Sequence, residues 1–98
     1  EELMKLDFSE VEEIDDIDRQ LVRLFEQRMD KVLQIAAYKH ENNLPVQDTS
    51  RERMVLEKNR RLLKNRLFQK SLDSFFLSVM AISRNLQDNW LAKSAGQK

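Results

Sequence analysis

The sequence of 98 residues has no cysteine, one glycine and one proline. Without cysteine there is neither a disulfide framework nor thiol chemistry. So few helix breakers argue for few, long helices and against a β architecture. An excess of charge of one sign is also missing: 17 basic residues balance 17 acidic ones. Nucleic-acid binding wants a basic excess on one face, so no nucleic acid is expected as a partner. No apolar run approaches the ~18 residues of a membrane span, and the acidic start carries no signal peptide. The expectation is a cytoplasmic chain that meets no membrane. A lone His40, with no cysteine beside it, does not make a zinc site, and no metal is expected. No nucleophile–base pair stands out, nor does a glycine loop for phosphate, so an enzyme here would work without covalent chemistry and without a cofactor.

What is present is helical periodicity. The fold class expected is all-α, with three helices in one domain spanning 1–98 and tails at about 1–7 and 93–98. The first helix runs from about Ser9, a candidate N-cap, to Glu41. Ile14, Ile17, Leu21, Leu24 and Phe25 give it an apolar face that Val32, Ile35, Ala36 and Tyr38 continue. It should fade at Asn42-Asn43, before Leu44-Pro45. The second begins near Asp48 or Thr49, where Thr49-x-x-Glu52 reads as a capping box, and carries Val55, Leu56, Leu62 and Leu63 to about Asn65. The third starts at 69–71 and carries Leu72, Phe75, Phe76, Val79, Ile82, Leu86 and Trp90 to about Ala92. A first helix of ~33 residues spans roughly 50 Å. A compact chain of this size has a radius of gyration near 13 Å. A second copy would cover the overhang, which predicts a homodimer.

Arg28 and Lys39 are the most informative residues. Eleven residues apart, they point the same way from a face that also holds Ile14, Leu21, Phe25, Val32 and Ile35. Cations on an apolar stripe are costly to bury unless an anion meets them. With Asp48, Arg51 and Glu52 just downstream, they suggest a cation-lined pocket for a small polyanion. The plainer alternative is that their stems snorkel to water or to a carboxylate. On the third helix Ser83 and Gln87 share a face, either as ligand contacts or as hydrogen-bonding groups within the bundle. Glu52 and Asp48 have capping as their plain reading, and Arg51 a surface ion pair. The acidic run Glu10–Asp18 and the basic stretch Lys58, Arg60, Arg61, Lys64 and Arg66 read as solvated surface.

The order of these residues resembles the all-helical (AroQ-class) chorismate mutases. The likeness runs from Ile14-Asp15-x-Ile17-Asp18 through Leu21-Val22-x-Leu24-Phe25-x-x-Arg28-Met29 and Ile35-Ala36-x-Tyr38-Lys39. It continues through Pro45-Val46-x-Asp48-x-x-Arg51-Glu52 to Ser83 and Gln87. It implies an intertwined homodimer of three-helix chains that converts chorismate to prephenate on the route to phenylalanine and tyrosine. By position, the resemblance implies that Arg28 binds a substrate carboxylate. Lys39 would bind a carboxylate and the ether oxygen of the breaking bond, and Gln87 would donate to that same oxygen. Glu52 and the Asp48 backbone would take the substrate hydroxyl, and Ser83 would help with the second carboxylate. Arg51 would line the pocket and Ile35 would form an apolar wall. One departure stands out: Val11 occupies a position where the family usually has an arginine that reaches into the partner's site. Two further readings stay open, a mutase-like dimerisation or regulatory module with weakened or no activity, and an unrelated helical interaction protein.

Overall fold

The computed structural model describes residues 8–46 and 49–95. Three α-helices follow in order: α1 (Phe8–Glu41), α2 (Thr49–Leu62) and α3 (Gln69–Ala95), with a 3-10 turn at Arg66–Phe68. There is no strand among the described residues, and the all-α expectation holds. The first helix begins one residue before Ser9, which therefore lies inside its first turn, and ends where expected, at Glu41. The third runs to Ala95, past the expected Ala92, so 93–95, expected in the 93–98 tail, are helical, while 1–7 and 96–98 lie outside the described residues. No helix among the described residues is long and apolar enough to cross a membrane.

The chain divides into two compact units, Glu1–Lys31 and Val32–Lys98. In the first, every residue from Ser9 to Gln27 is exposed, Arg28 is half-buried, and Met29 is buried. Ile14, Ile17, Leu21, Leu24 and Phe25, the apolar face read from the sequence, are bare, and so is Val11. An exposed Asp16–Arg19 ion pair, one turn apart, sits on the same stretch.

The second unit is a helical hairpin with the last turns of α1 beside it. Glu52, Val55, Leu56, Asn59, Arg60 and Leu63 are all half-buried, a helical stripe that defines the inward face of α2 and its end. Leu62, expected on that face, is instead 73% exposed, because it falls about 100° from Leu63 around the helix axis. On α3 the covered stripe runs Leu72, Asp73, Phe76, Val79, Met80, Ser83, Arg84, Gln87 and Trp90, with Val79, Met80 and Ser83 buried. Ala36 of α1 is fully buried in the same unit.

Asparagines shape the end of α1 and the turn between α2 and α3. At the end of α1, Leu44 N–H donates to the Lys39 carbonyl at 2.8 Å, and Asn43 N–H to that of His40 at 3.3 Å. This pair is a Schellman cap, and its left-handed residue is Asn43, with φ 57°, where glycine is the usual occupant. The Asn42 amide adds a bond to the Tyr38 carbonyl at 2.8 Å. Between α2 and α3, extended Asn65 caps the 3-10 turn by accepting from Leu67 N–H at 3.0 Å.

Two ion pairs tie α2 to α3. Arg60 Nε meets Asp73 Oδ1 at 2.7 Å near the connection. At the far end, Arg84 meets Glu52. Late α2 with early α3, and early α2 with late α3, defines an antiparallel hairpin. Arg60 therefore leaves the solvated basic stretch to which its spacing assigned it. Its hydrogen bond to Asp73 raises the guanidinium pKa above the ordinary value and outweighs the opposing effect of burial.

Candidate active site

The covered stripe of α3 carries two of the expected site residues, Ser83 and Gln87. Ser83 and Gln87 are one turn apart on one face, as their spacing predicts. Ser83 is buried, and its hydroxyl donates to the Val79 carbonyl at 2.8 Å. That back-bond directs the proton along the helix and turns the oxygen lone pairs outward. Arg84, the residue between them, was not singled out by the sequence reading. Its Nη1 donates to both carboxylate oxygens of Glu52, to Oε2 at 2.6 Å. Glu52 is thereby held as an acceptor-only carboxylate beside the Ser83–Gln87 face. Its carboxylate does more than close a capping box, and the Thr49 side chain of that box lies outside the described residues.

The last turn of α1 brings Lys39 to the same unit. His40 packs edge-on against Trp90, with ring centroids 5.8 Å apart and an interplanar angle of 88°. Trp90 is three residues beyond Gln87, so this contact seats the Lys39–His40 turn next to the segment that carries Gln87. The Schellman cap holds the Lys39 carbonyl, while its half-buried side chain remains to extend from the helix. Ile35, at 43% exposure, stands beside the covered stripe of Val32, Leu33 and Ala36.

Arg51 is exposed and shares with Met54, Lys58 and Arg61 an open groove of about 690 Å³ along α2, on a different face from Glu52. Arg28 is half-buried in the first unit. Asp48 lies outside the described residues. Among the described residues, no three of His, Cys, Asp and Glu are grouped to hold a metal. The second unit holds Lys39, Ser83, Gln87 and Glu52, and within it Glu52 is joined to α3 through Arg84.

Residues 11–88 match the family model for chorismate mutase type II. The chain is 37% identical over 79 residues to a bifunctional chorismate mutase/prephenate dehydratase of Buchnera aphidicola subsp. Baizongia pistaciae, covering 79% of this chain and 21% of that protein. It is 40% identical over 48 residues to the T-protein of Haemophilus influenzae, covering 49% of this chain and 13% of that one. A second bifunctional chorismate mutase/prephenate dehydratase, from Buchnera aphidicola subsp. Schizaphis graminum, is 46% identical over 46 residues, or 47% of this chain and 12% of the relative. The chain spans about a fifth or less of the length of these relatives. No solved structure matches it significantly. The chain belongs to the chorismate mutase type II family.

Proposed function

We propose that the 98 residues form one domain that rearranges chorismate to prephenate, as a homodimer in the cytoplasm. The observation that carries the activity is the family match over 11–88, which includes Arg28, Lys39, Glu52, Ser83 and Gln87 in order. The reaction is an intramolecular Claisen rearrangement. It needs a compact substrate conformer and stabilisation of charge at the ether oxygen, not an acid, a base or a nucleophile.

In this reading Lys39 and Gln87 donate to the ether oxygen as its bond to the ring breaks. Both are half-buried, so their dipole and charge act in a medium less screening than water. Glu52 accepts from the substrate hydroxyl, helped by the Asp48 backbone. Arg28 holds one carboxylate, and Ser83 assists with the second by turning its proton from the Val79 carbonyl toward the ligand. Arg51 and Ile35 complete the walls. The bare face of Val11, Ile14, Ile17, Leu21 and Phe25 supports the homodimer, since a second copy of the same stripe would cover it. The absence of cysteine suits a reducing compartment.

Loss of chorismate absorbance, inhibited by a bicyclic dicarboxylate mimic of the transition state, tests the activity. No turnover and no binding of the mimic overturns it. Val11 favours a second reading, a mutase-like module with weakened or no turnover. Turnover by the purified chain at the level of a functional mutase removes that reading.

A further inference from the structure

We propose that Arg84 is a further substrate-binding residue, one edge of its guanidinium holding Glu52 and the other taking a carboxylate of the substrate. The inference rests on the mutase reading and adds to its site a cation that the sequence pattern does not mark.

A guanidinium is planar and carries five N–H groups. In Arg84 it is Nη1 that donates to the two carboxylate oxygens of Glu52. The three on Nε and Nη2 meet no acceptor among the described residues. Two of these, Nε–H and one Nη2–H, lie along another edge of the same plane, the fork that accepts a carboxylate through two parallel hydrogen bonds. With Nη1 fixed on Glu52, the orientation of that second edge is set in advance, which lowers the ordering cost of binding an anion.

The position is also the right one. Arg84 lies on the covered stripe of α3 between Ser83 and Gln87, about 60° around the helix from Gln87. Its side chain is 38% exposed, so the free edge is reachable. Glu52 is the proposed acceptor for the substrate hydroxyl. One guanidinium therefore joins the hydroxyl acceptor to a carboxylate donor and fixes the distance between them, which selects ligands that carry both groups at that separation.

The hairpin supplies its own control. Arg60 and Asp73 form the same kind of tie between the same two helices at the other end, near the connection and away from Ser83 and Gln87. If Arg84 only tied α2 to α3, removing either pair would have the same consequence.

Three variants separate the roles: Arg84→Lys, Arg84→Met and Asp73→Asn, each compared with the parent chain in Tm, KM, kcat and the Kd of the bicyclic mimic. Lysine keeps a positive charge facing Glu52 but has no second edge. The expected result for Arg84→Lys is a Tm near that of the parent, a KM and mimic Kd raised on the order of tenfold, and kcat changed by less than about threefold, the pattern for lost binding shared by ground and transition states. Arg84→Met raises KM further and lowers Tm. Asp73→Asn lowers Tm and leaves KM unchanged. An unchanged KM and Kd in both Arg84 variants, with an active parent, overturns the inference and leaves the mutase reading standing. A parent chain that neither turns over chorismate nor binds the mimic overturns both.

Discussion

The first unit and the second are made from the same helical periodicity but finish it differently. Between Ile14 and Phe25 of the first unit, leucine, isoleucine and phenylalanine recur at core spacing and stay exposed. In Val32–Lys98 much of the same spacing on α2 and α3 is covered, although Leu62, Phe75 and Ile82 of the expected stripes are exposed, and polar residues are threaded through the covered stripe and paired: Arg60 with Asp73, Glu52 with Arg84. A periodic stripe thus says that a face must be covered, not what covers it. The hairpin covers much of its own, and the proposed dimer covers the other. The proposed chemistry follows the same division, with Lys39, Glu52, Ser83 and Gln87 in the self-covered unit and Arg28 in the other.

The sharpest way to test that division is Lys39→Ala. Loss of one donor to a developing oxyanion should lower kcat on the order of 10²- to 10³-fold, with the dimer intact by light scattering. A fall of less than threefold in an active parent removes the role given to Lys39. Leu21→Asp should break the comparison from the other side: a charge placed in the apolar stripe should weaken self-association by roughly 10-fold or more. Sedimentation velocity reads that shift, and a parent that sediments as a monomer denies the partner chain its place. Valine in place of Asn43 should cost about 1 to 2 kcal/mol, because a branched side chain resists the left-handed conformation, whereas Asn43→Gly should not destabilise. Urea unfolding measures both, and equal stabilities would show that the cap contributes nothing. The smallest effect belongs to the exposed pair of the first unit: Arg19→Ala should change stability by under about 0.5 kcal/mol. A loss above 1 kcal/mol would mean that this stretch of α1 is not bathed in water.

The helices themselves were legible. The start and end of α1 and the start of α3 fall within a residue or two of where periodicity and breakers put them, because those signals are local. Ser83 and Gln87 share a covered face for the same reason. What the sequence could not show depends on register between helices. Leu62 and Leu63 are both leucine, and only the packing of the hairpin decides that Leu63 is inward and Leu62 is not. Arg60 looked like one of five surface cations until Asp73 met it across the turn. Arg84 looked like any helix arginine, since its partner lies 32 residues away in sequence. The one signal that points to it is that an acid near the start of α2 and a base late in α3 come to the same end of an antiparallel hairpin with so short a connection. The Asn43 cap escaped notice because Asn-Asn before Leu-Pro reads only as an ending, while the conformation that makes the turn requires one particular residue to go left-handed.

Trp90 is the sole indole in the sequence, and it rests on His40. Its fluorescence therefore reports on a single joint, the place where the last turn of α1 meets α3. Any ligand that draws Lys39 and Gln87 together must strain or tighten that joint, so occupancy of the site becomes an optical signal with no label attached. A stopped-flow trace at the wavelength of that one emitter would time the seating of a non-reacting dicarboxylate separately from the bond rearrangement that follows with chorismate.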